Sequence, residues 1–215
     1  MSAVKHHIRG TELLLLPEKA IYWPEKDALL VADLHLGKVT HFRKAGIGLP
    51  QEVETENLER LSQLIIDHKV KTLYILGDLF HSHMNTQWAK FKSFMASFPQ
   101  IQFVLIRGNH DILDEKNYQA ANLKYYPDRL ILEPFILTHI PLEAASKYYN
   151  ICGHIHPGVR LRGKGLQAIK LPCFHFRADR LVLPAFGAFT GTARIEPQEE
   201  DCIFAIAEDK VVRVS

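Results

Sequence analysis

Short apolar runs recur along the chain, and several of them end on a polar cluster. Residues 12–16 (ELLLL) and 28–32 (ALLVA) are bounded by Pro and charge and read as strands. Residues 72–76 (TLYIL) and 101–106 (IQFVLI) read the same way. Between them the apolar period lengthens to that of a helix. Over residues 51–68, Val53, Leu58, Leu61, Leu64 and Ile65 fall near one face, with Pro50 just before the start. Over residues 86–98, Trp88, Phe91, Phe94, Met95 and Phe98 do so. This alternation predicts a parallel-type sheet covered by helices. After about residue 125 the pattern becomes short strand candidates separated by turns: 130–132, 135–138, 149–152, 166–171, 181–183, 202–207 and 211–214, with Asp209-Lys210 as a hairpin turn. They predict a second, mostly antiparallel sheet packed on the first, within one domain spanning 1–215.

Composition narrows the class. The 215 residues suit one domain with a sizeable core. With 47% apolar and 23% charged residues, neither disorder nor a coiled coil describes the whole chain. The formal net charge is only +2, so a nucleic-acid surface requires local clustering. The three cysteines, Cys152, Cys173 and Cys202, form no CxxC pair, which argues against a disulfide framework or a thiolate zinc site and for a reducing cytoplasm. The apolar run in MSAVKHHIRGTELLLLPEKA is soon broken by Pro and charge and is too short for a signal peptide or a span. The expectation is a soluble cytoplasmic protein with no membrane partner.

Five polar clusters share one local grammar, each following an apolar run: VADLH with Asp33 and His35, LGDLFH with Asp78 and His81, RGNHD with Asn109, His110 and Asp111, ILTHIP with His139, and CGHIHPG with His154 and His156. In open α/β sheets ligands gather outside the carboxyl ends of strands, so five such ends can converge on one place. Imidazole with carboxylate or amide oxygen suits Mn, Fe or Zn, and no thiolate accompanies them. Two cations roughly 3.5–4 Å apart acidify a water and clamp both the attacking and the leaving oxygen of an in-line displacement, the chemistry of cutting a phosphoester. Taken singly, each cluster has an ordinary reading as a strand-end turn or an exposed histidine; their order along one chain is what favours a metal site. The alternation in His154-Ile155-His156 is expected to put both imidazoles on one face of an extended chain.

The series DLH, GDLFH, GNHD, TH, GHIH resembles the calcineurin-like metallophosphoesterase superfamily over residues 33–156. The later stretch LVLPAFGAFTG is similar to the ICC-like, or ligase-associated DNA-damage-response endonuclease, subfamily. The resemblance implies an α/β fold in a four-layer αββα sandwich, two mixed sheets flanked by helices. It implies that Asp33, His35 and His156 hold one divalent cation, that Asp78 bridges, and that Asn109, His139 and His154 hold a second; Mn²⁺ is the first choice, with Fe or Zn as alternatives. His110 would be the catalytic residue beside the substrate phosphate, oriented by Asp111. The pattern departs from the family in Thr138, where Gly usually precedes the histidine, and in Leu79-Phe80-His81, where many relatives carry a carboxylate or Asn. His81 and His83 are therefore read either as neighbours of the ligands and substrate or as ordinary exposed histidines.

Substrate is less legible. Between residues 158 and 181, Arg160, Arg162, Lys164, Lys170, Arg177 and Arg180 face only Asp179 in sequence, with Phe174 and Phe176 among them. Arg160, Arg162, Phe174 and His81 are candidate substrate contacts, as is Arg43 in the basic loop 38–44. The alternative is a strand pair with a solvated basic face and an apolar core face. The expected function is a metal-dependent phosphodiesterase or endonuclease on DNA, in DNA repair; by resemblance alone its partners would be a ligase, a helicase and an exonuclease. Two other readings stand beside it: a small-molecule phosphohydrolase for nucleotides or sugar nucleotides, and a phosphoesterase-fold scaffold without catalysis. An amidohydrolase barrel, whose HxH pair lies on its first strand, fits poorly with a pair at 154 and 156 in a chain shorter than the ~250 residues of such barrels.

Overall fold

The chain opens as an antiparallel meander of Val4–Ile8 (β1), Thr11–Leu16 (β2), Ala20–Trp23 (β3) and Ala28–Val31 (β4). Arg9 and Gly10, at φ 49° and 80°, make the two-residue hairpin turn between β1 and β2. The structure, a computed structural model, describes residues 2–38, 52–80, 85–144, 146–163, 168–188 and 190–215. From β4 the pairing becomes parallel through Thr72–Leu76 (β5), Gln102–Ile106 (β6) and Lys124–Tyr126 (β7). Helices Glu52–Asp67 (α1), Asn85–Ala96 (α2) and Glu115–Ala120 (α3) lie in the three crossovers.

The second sheet contains Arg129–Leu132 (β8), Phe135–Thr138 (β9), Tyr149–Cys152 (β10), Pro157–Arg162 (β11), Ala168–Phe176 (β12), Arg180–Val182 (β13), Ala193–Arg194 (β14), Cys202–Ala207 (β15) and Lys210–Arg213 (β16). Its order is β14-β11-β12-β13-β10-β9-β8, with β15 joining β12 and β16 joining β15. Most of its pairs are antiparallel, but β9, β10 and β13 run parallel at its centre. The hairpin between β15 and β16 turns at Glu208-Asp209, one residue earlier than expected.

The central strands of the first sheet are buried on both faces, which is why ALLV, TLYIL and QFVLI read as unbroken apolar runs. Leu29, Val31, Leu73, Ile75, Phe103 and Leu105 pack against Leu61, Leu64 and Ile65 of α1, Phe91, Phe94 and Met95 of α2, and Tyr118 of α3. The alternate residues, Leu30, Tyr74, Leu76, Val104 and Ile106, pack against Phe135, Leu137, Tyr149, Ile151, Phe174 and Phe176 of the second sheet. Each such burial contributes about 1.5–3 kcal/mol, so the strands that deliver the polar clusters are firmly anchored. Two mixed sheets with flanking helices are as expected. Among the described residues the helices all lie outside the first sheet, while a small cluster of Val159, Cys173, Ile195, Ile203 and Ala205 covers the outer face of the second. Among them, too, no helix is long and apolar enough to cross a membrane.

Candidate metal centre

The two sheets face each other, and their parallel strands end at the same edge. From the first sheet β4 ends at Asp33 and His35, β5 at Asp78, and β6 at Asn109 and His110; from the second, β9 ends at His139 and β10 at His154 and His156. The chain leaves each extended strand abruptly. Asp33, His35, Asp78, His154 and His156 all sit in the left-handed region, at φ 56°, 49°, 50°, 68° and 51°. The expectation that His154 and His156 share one face of an extended chain is therefore corrected: left-handed turns, not pleating, aim both rings. For non-glycine residues this conformation costs about 1–2 kcal/mol each, less than the burial that anchors the strands. The displaced loops stay tied by main-chain bonds: Asp33 N–H to Gly77 O, His35 N–H to Asp78 O, and Gly153 N–H to His139 O, at 3.2, 2.9 and 3.0 Å.

Two groups of ligand atoms result. Asp33, His35 and His156 form one and Asp78, His139 and His154 the other, each within 4.8 Å. In the first, His156 Nε2 lies 3.2 Å from Asp33 Oδ1 and 3.4 Å from His35 Nε2. In the second, His139 Nε2 lies 3.4 Å from Asp78 Oδ1, 3.2 Å from His154 Nδ1 and 3.0 Å from Asn109 Oδ1. His139 Nδ1 is 2.9 Å from the Leu76 carbonyl, so that nitrogen carries the proton and Nε2 turns a lone pair to the centre. His139 Nε2 thus faces the Asp78 and Asn109 oxygens as acceptor to acceptor, and the contacts in both groups match the edge lengths, roughly 2.9–3.4 Å, of a coordination shell with 2.0–2.1 Å bonds. Asp33 Oδ1 is buried and receives no hydrogen bond, while Asp33 Oδ2 accepts from the His154 N–H at 3.0 Å. Burial, and then the neighbouring His139, lower the His154 pKa and favour the neutral ring that ligation needs. A divalent cation in each group would satisfy Asp33 Oδ1 in the first and the His139 lone pair in the second, so the donor set fits two metals.

Thr138, the departure from the family pattern, does not displace His139. Its hydroxyl donates to Ile140 O at 2.8 Å and accepts from Asn150 Nδ2 at 2.9 Å, which fixes the turn after β9. Gly77 is demanded twice over: its φ is 74°, and a Cβ there would lie 2.3 Å from His139 Nδ1. Gly77→Ala is expected to push His139 out of the second group, weaken metal binding 10–100-fold and cost about 1–2 kcal/mol of stability; titration calorimetry and urea unfolding read both.

Asp111 has another role than the one expected of it. Its Oδ1 accepts from the N–H of Leu79 at 2.9 Å and of Phe80 at 3.4 Å, and its Oδ2 from Gly108 N–H at 2.9 Å. It therefore braces the Asp78 turn against the Asn109 turn, acting on main chain where an orientation of the His110 ring was expected. Burial pushes its carboxyl up to about 6, against the Gly108 hydrogen bond. Asp111→Ala leaves three buried N–H groups without their acceptor, at about 1–3 kcal/mol each, and is expected to lower unfolding stability by roughly 3 kcal/mol or more in a urea titration. His110 is half-buried; its N–H donates to Asp78 Oδ1 at 2.9 Å and its ring meets that of His35 edge-on at 5.9 Å.

The substrate candidates fare differently. Phe174 is fully buried between the sheets, which corrects its expected role as a stacking platform. Arg160 and Arg162 are exposed on the β11 face opposite Val159 and Leu161, the alternation of a basic solvated face with an apolar one. Arg43, His81, His83 and Lys164 lie outside the described residues. Cys152 is buried behind the site, its thiol pushed up by burial, as the core residue it was read to be. Sequence reasoning missed a backing layer. Phe186 N–H donates to Ala32 O at 2.8 Å and Gly187 N–H to Asp33 O at 3.1 Å. Buried Asn57 accepts from Ala188 N–H at 3.0 Å, and Arg60 donates to Phe186 O. Phe186 and Gly187 of the LVLPAFGAFTG stretch thus lie against the first metal group, a role its composition did not signal.

Comparison with known proteins supplies the family. A model of the calcineurin-like phosphoesterase family matches residues 28–177. No curated protein shows significant sequence similarity to the chain. Among solved structures, the nuclease MPE of Pseudomonas putida is 31% identical, covers 99% of this chain and 100% of its own, and superposes with a TM-score of 0.82. YfcE, a phosphoesterase from E. coli, is 17% identical over 87% of this chain and 97% of its own, at 0.46. With the family motif over most of its length, two candidate metal groups at its strand ends and a full-length relative, the chain belongs to the calcineurin-like phosphoesterases and is a phosphoester hydrolase of the kind that uses divalent metals.

Proposed function

We propose that the chain is a Mn²⁺-dependent phosphodiesterase that cuts nucleic acid, DNA foremost. The observation that carries the reading is the pair of complementary ligand groups with His110 at their edge. The full-length similarity to a bacterial nuclease supports nucleic acid as the substrate class, and the mixed imidazole, carboxylate and amide donors, without thiolate, support Mn²⁺. Two bound divalent cations supply neutralisation of the diester charge and a more acidic attacking water. Asp33, His35 and His156 would hold one, and Asp78, Asn109, His139 and His154 the other. The His139 ring, fixed by Leu76 O, keeps its lone pair inward. His110, held through its N–H by Asp78, presents an imidazole from which a leaving oxygen can take its proton. The LVLPAFGAFTG resemblance supports a role in DNA repair, and three free cysteines suit a reducing cytoplasm.

The test is hydrolysis of bis-p-nitrophenyl phosphate by the purified chain with added Mn²⁺, with EDTA abolishing it. DNA and mononucleotides compared across salt then fix the substrate: a turnover of DNA that exceeds that of nucleotides and falls steeply with salt supports the reading. Faster turnover of nucleotides would assign the site to small molecules.

A further inference from the structure

Three exposed large apolar side chains stand directly beside the candidate site residues: Ile112 (54% exposed) after Asp111, Ile140 (54%) after His139, and Ile155 (39%) between His154 and His156. A single exposed isoleucine needs no explanation. Ile140 and Ile155, however, line one groove of about 540 Å³, and His154 is part of the same wall. Val182 extends the apolar surface, and Arg177 and Arg180 stand in the same groove. Both arginines are held in place, Arg177 by Gln198 Oε1 at 2.5 Å and Asp201 at 3.5 Å, Arg180 by Asp179 at 2.7 Å. Glu143 and Glu196 line it too, so the groove has no strong net charge.

A diester gripped by the two ligand groups carries two ester substituents, and neither can sit among the ligand atoms. The groove begins at a ligand, so a substituent on that side of the phosphate enters it. We propose that this groove is a nucleoside subsite: an unstacked base lies along Ile140 and Ile155 next to the scissile phosphate, and Arg177 and Arg180 mark the side toward which the flanking phosphate runs. Its volume lies within the roughly 300–1,000 Å³ of small-molecule sites. The proposal rests on the phosphodiesterase reading above, and it adds where the substrate beyond the phosphate is recognised.

The experiment compares three substrates with one leaving group: thymidine 5′-p-nitrophenyl phosphate, thymidine 3′-p-nitrophenyl phosphate and methyl p-nitrophenyl phosphate, each with Mn²⁺. The variants are Ile140→Ser, Ile155→Ser and the double substitution. Loss of the apolar wall is expected to lower the ratio of kcat/KM for one or both thymidine esters over the methyl ester about tenfold in the double variant, mainly through KM. The ratio cancels any loss of metal, because all three substrates need it. A ratio equal to that of the unaltered protein overturns the subsite. If the unaltered protein hydrolyses none of the three with Mn²⁺ bound, the phosphodiesterase reading fails, a result distinct from hydrolysis of all three with an unmoved ratio.

Discussion

Asp78→Ala is expected to lower kcat/KM for a phosphodiester by about 10³-fold or more, and to do so through the metals. Asp78 Oδ1 lies 3.4 Å from His139 Nε2 and also accepts the His110 N–H at 2.9 Å. One substitution thus removes a carboxylate from the second ligand group and releases the backbone that carries His110. Charge stabilisation by a metal is worth several kcal/mol, and each 1.36 kcal/mol is a factor of ten. Metal analysis should show the loss directly, with fewer than two equivalents of Mn²⁺ retained per chain. An Asp78→Ala protein with full metal content and full activity would remove the site assignment altogether.

His110→Ala is expected to act differently. The ring is outside both ligand groups, so metal content should stay near that of the unaltered protein while kcat falls by about 10²–10⁴. If His110 delivers a proton to the leaving oxygen, the loss depends on how badly that oxygen needs one. A DNA diester, with its alkoxide leaving group, should suffer most, and a p-nitrophenyl ester, whose leaving group departs unaided, should suffer least. Equal losses on both substrates would leave His110 as a charge stabiliser and deny it the role of acid. Together the two variants separate metal holding from proton supply.

Most of this site was legible from residue order, since five apolar runs ending in Asp, His and Asn are a strong signal once the strands are parallel. What stayed hidden has physical causes. A period-two pattern cannot show that the backbone turns left-handed, so His154 and His156 read as neighbours on an extended face when φ values of 68° and 51° aim them otherwise. Strand β1 went unread because His6 occupies its inward position, its ring tilted at 54° and 4.3 Å from that of Phe176, and a histidine in an apolar slot breaks the hydrophobic pattern. Phe174 looked like a base-stacking residue because basic side chains flank it in sequence, yet alternation along β12 turns it into the core. Asp111 looked like the partner of its neighbour, whereas main-chain donors from Leu79 and Phe80 close on it from a loop about thirty residues away. Local sequence reports side-chain type well and reports long-range donors hardly at all.

The distribution of ligands between the two sheets has a mechanical consequence. The first group takes Asp33 and His35 from one sheet and His156 from the other; the second takes Asp78, with Asn109 beside it, from one and His139 and His154 from the other. Neither sheet supplies more than two donors to either group, so an ion bound in each would act as a rivet through the edge of the sandwich. The catalytic cofactor and the fastener between the layers would then be the same atom, and chelation would loosen the seam between the sheets at the moment it silences the chemistry.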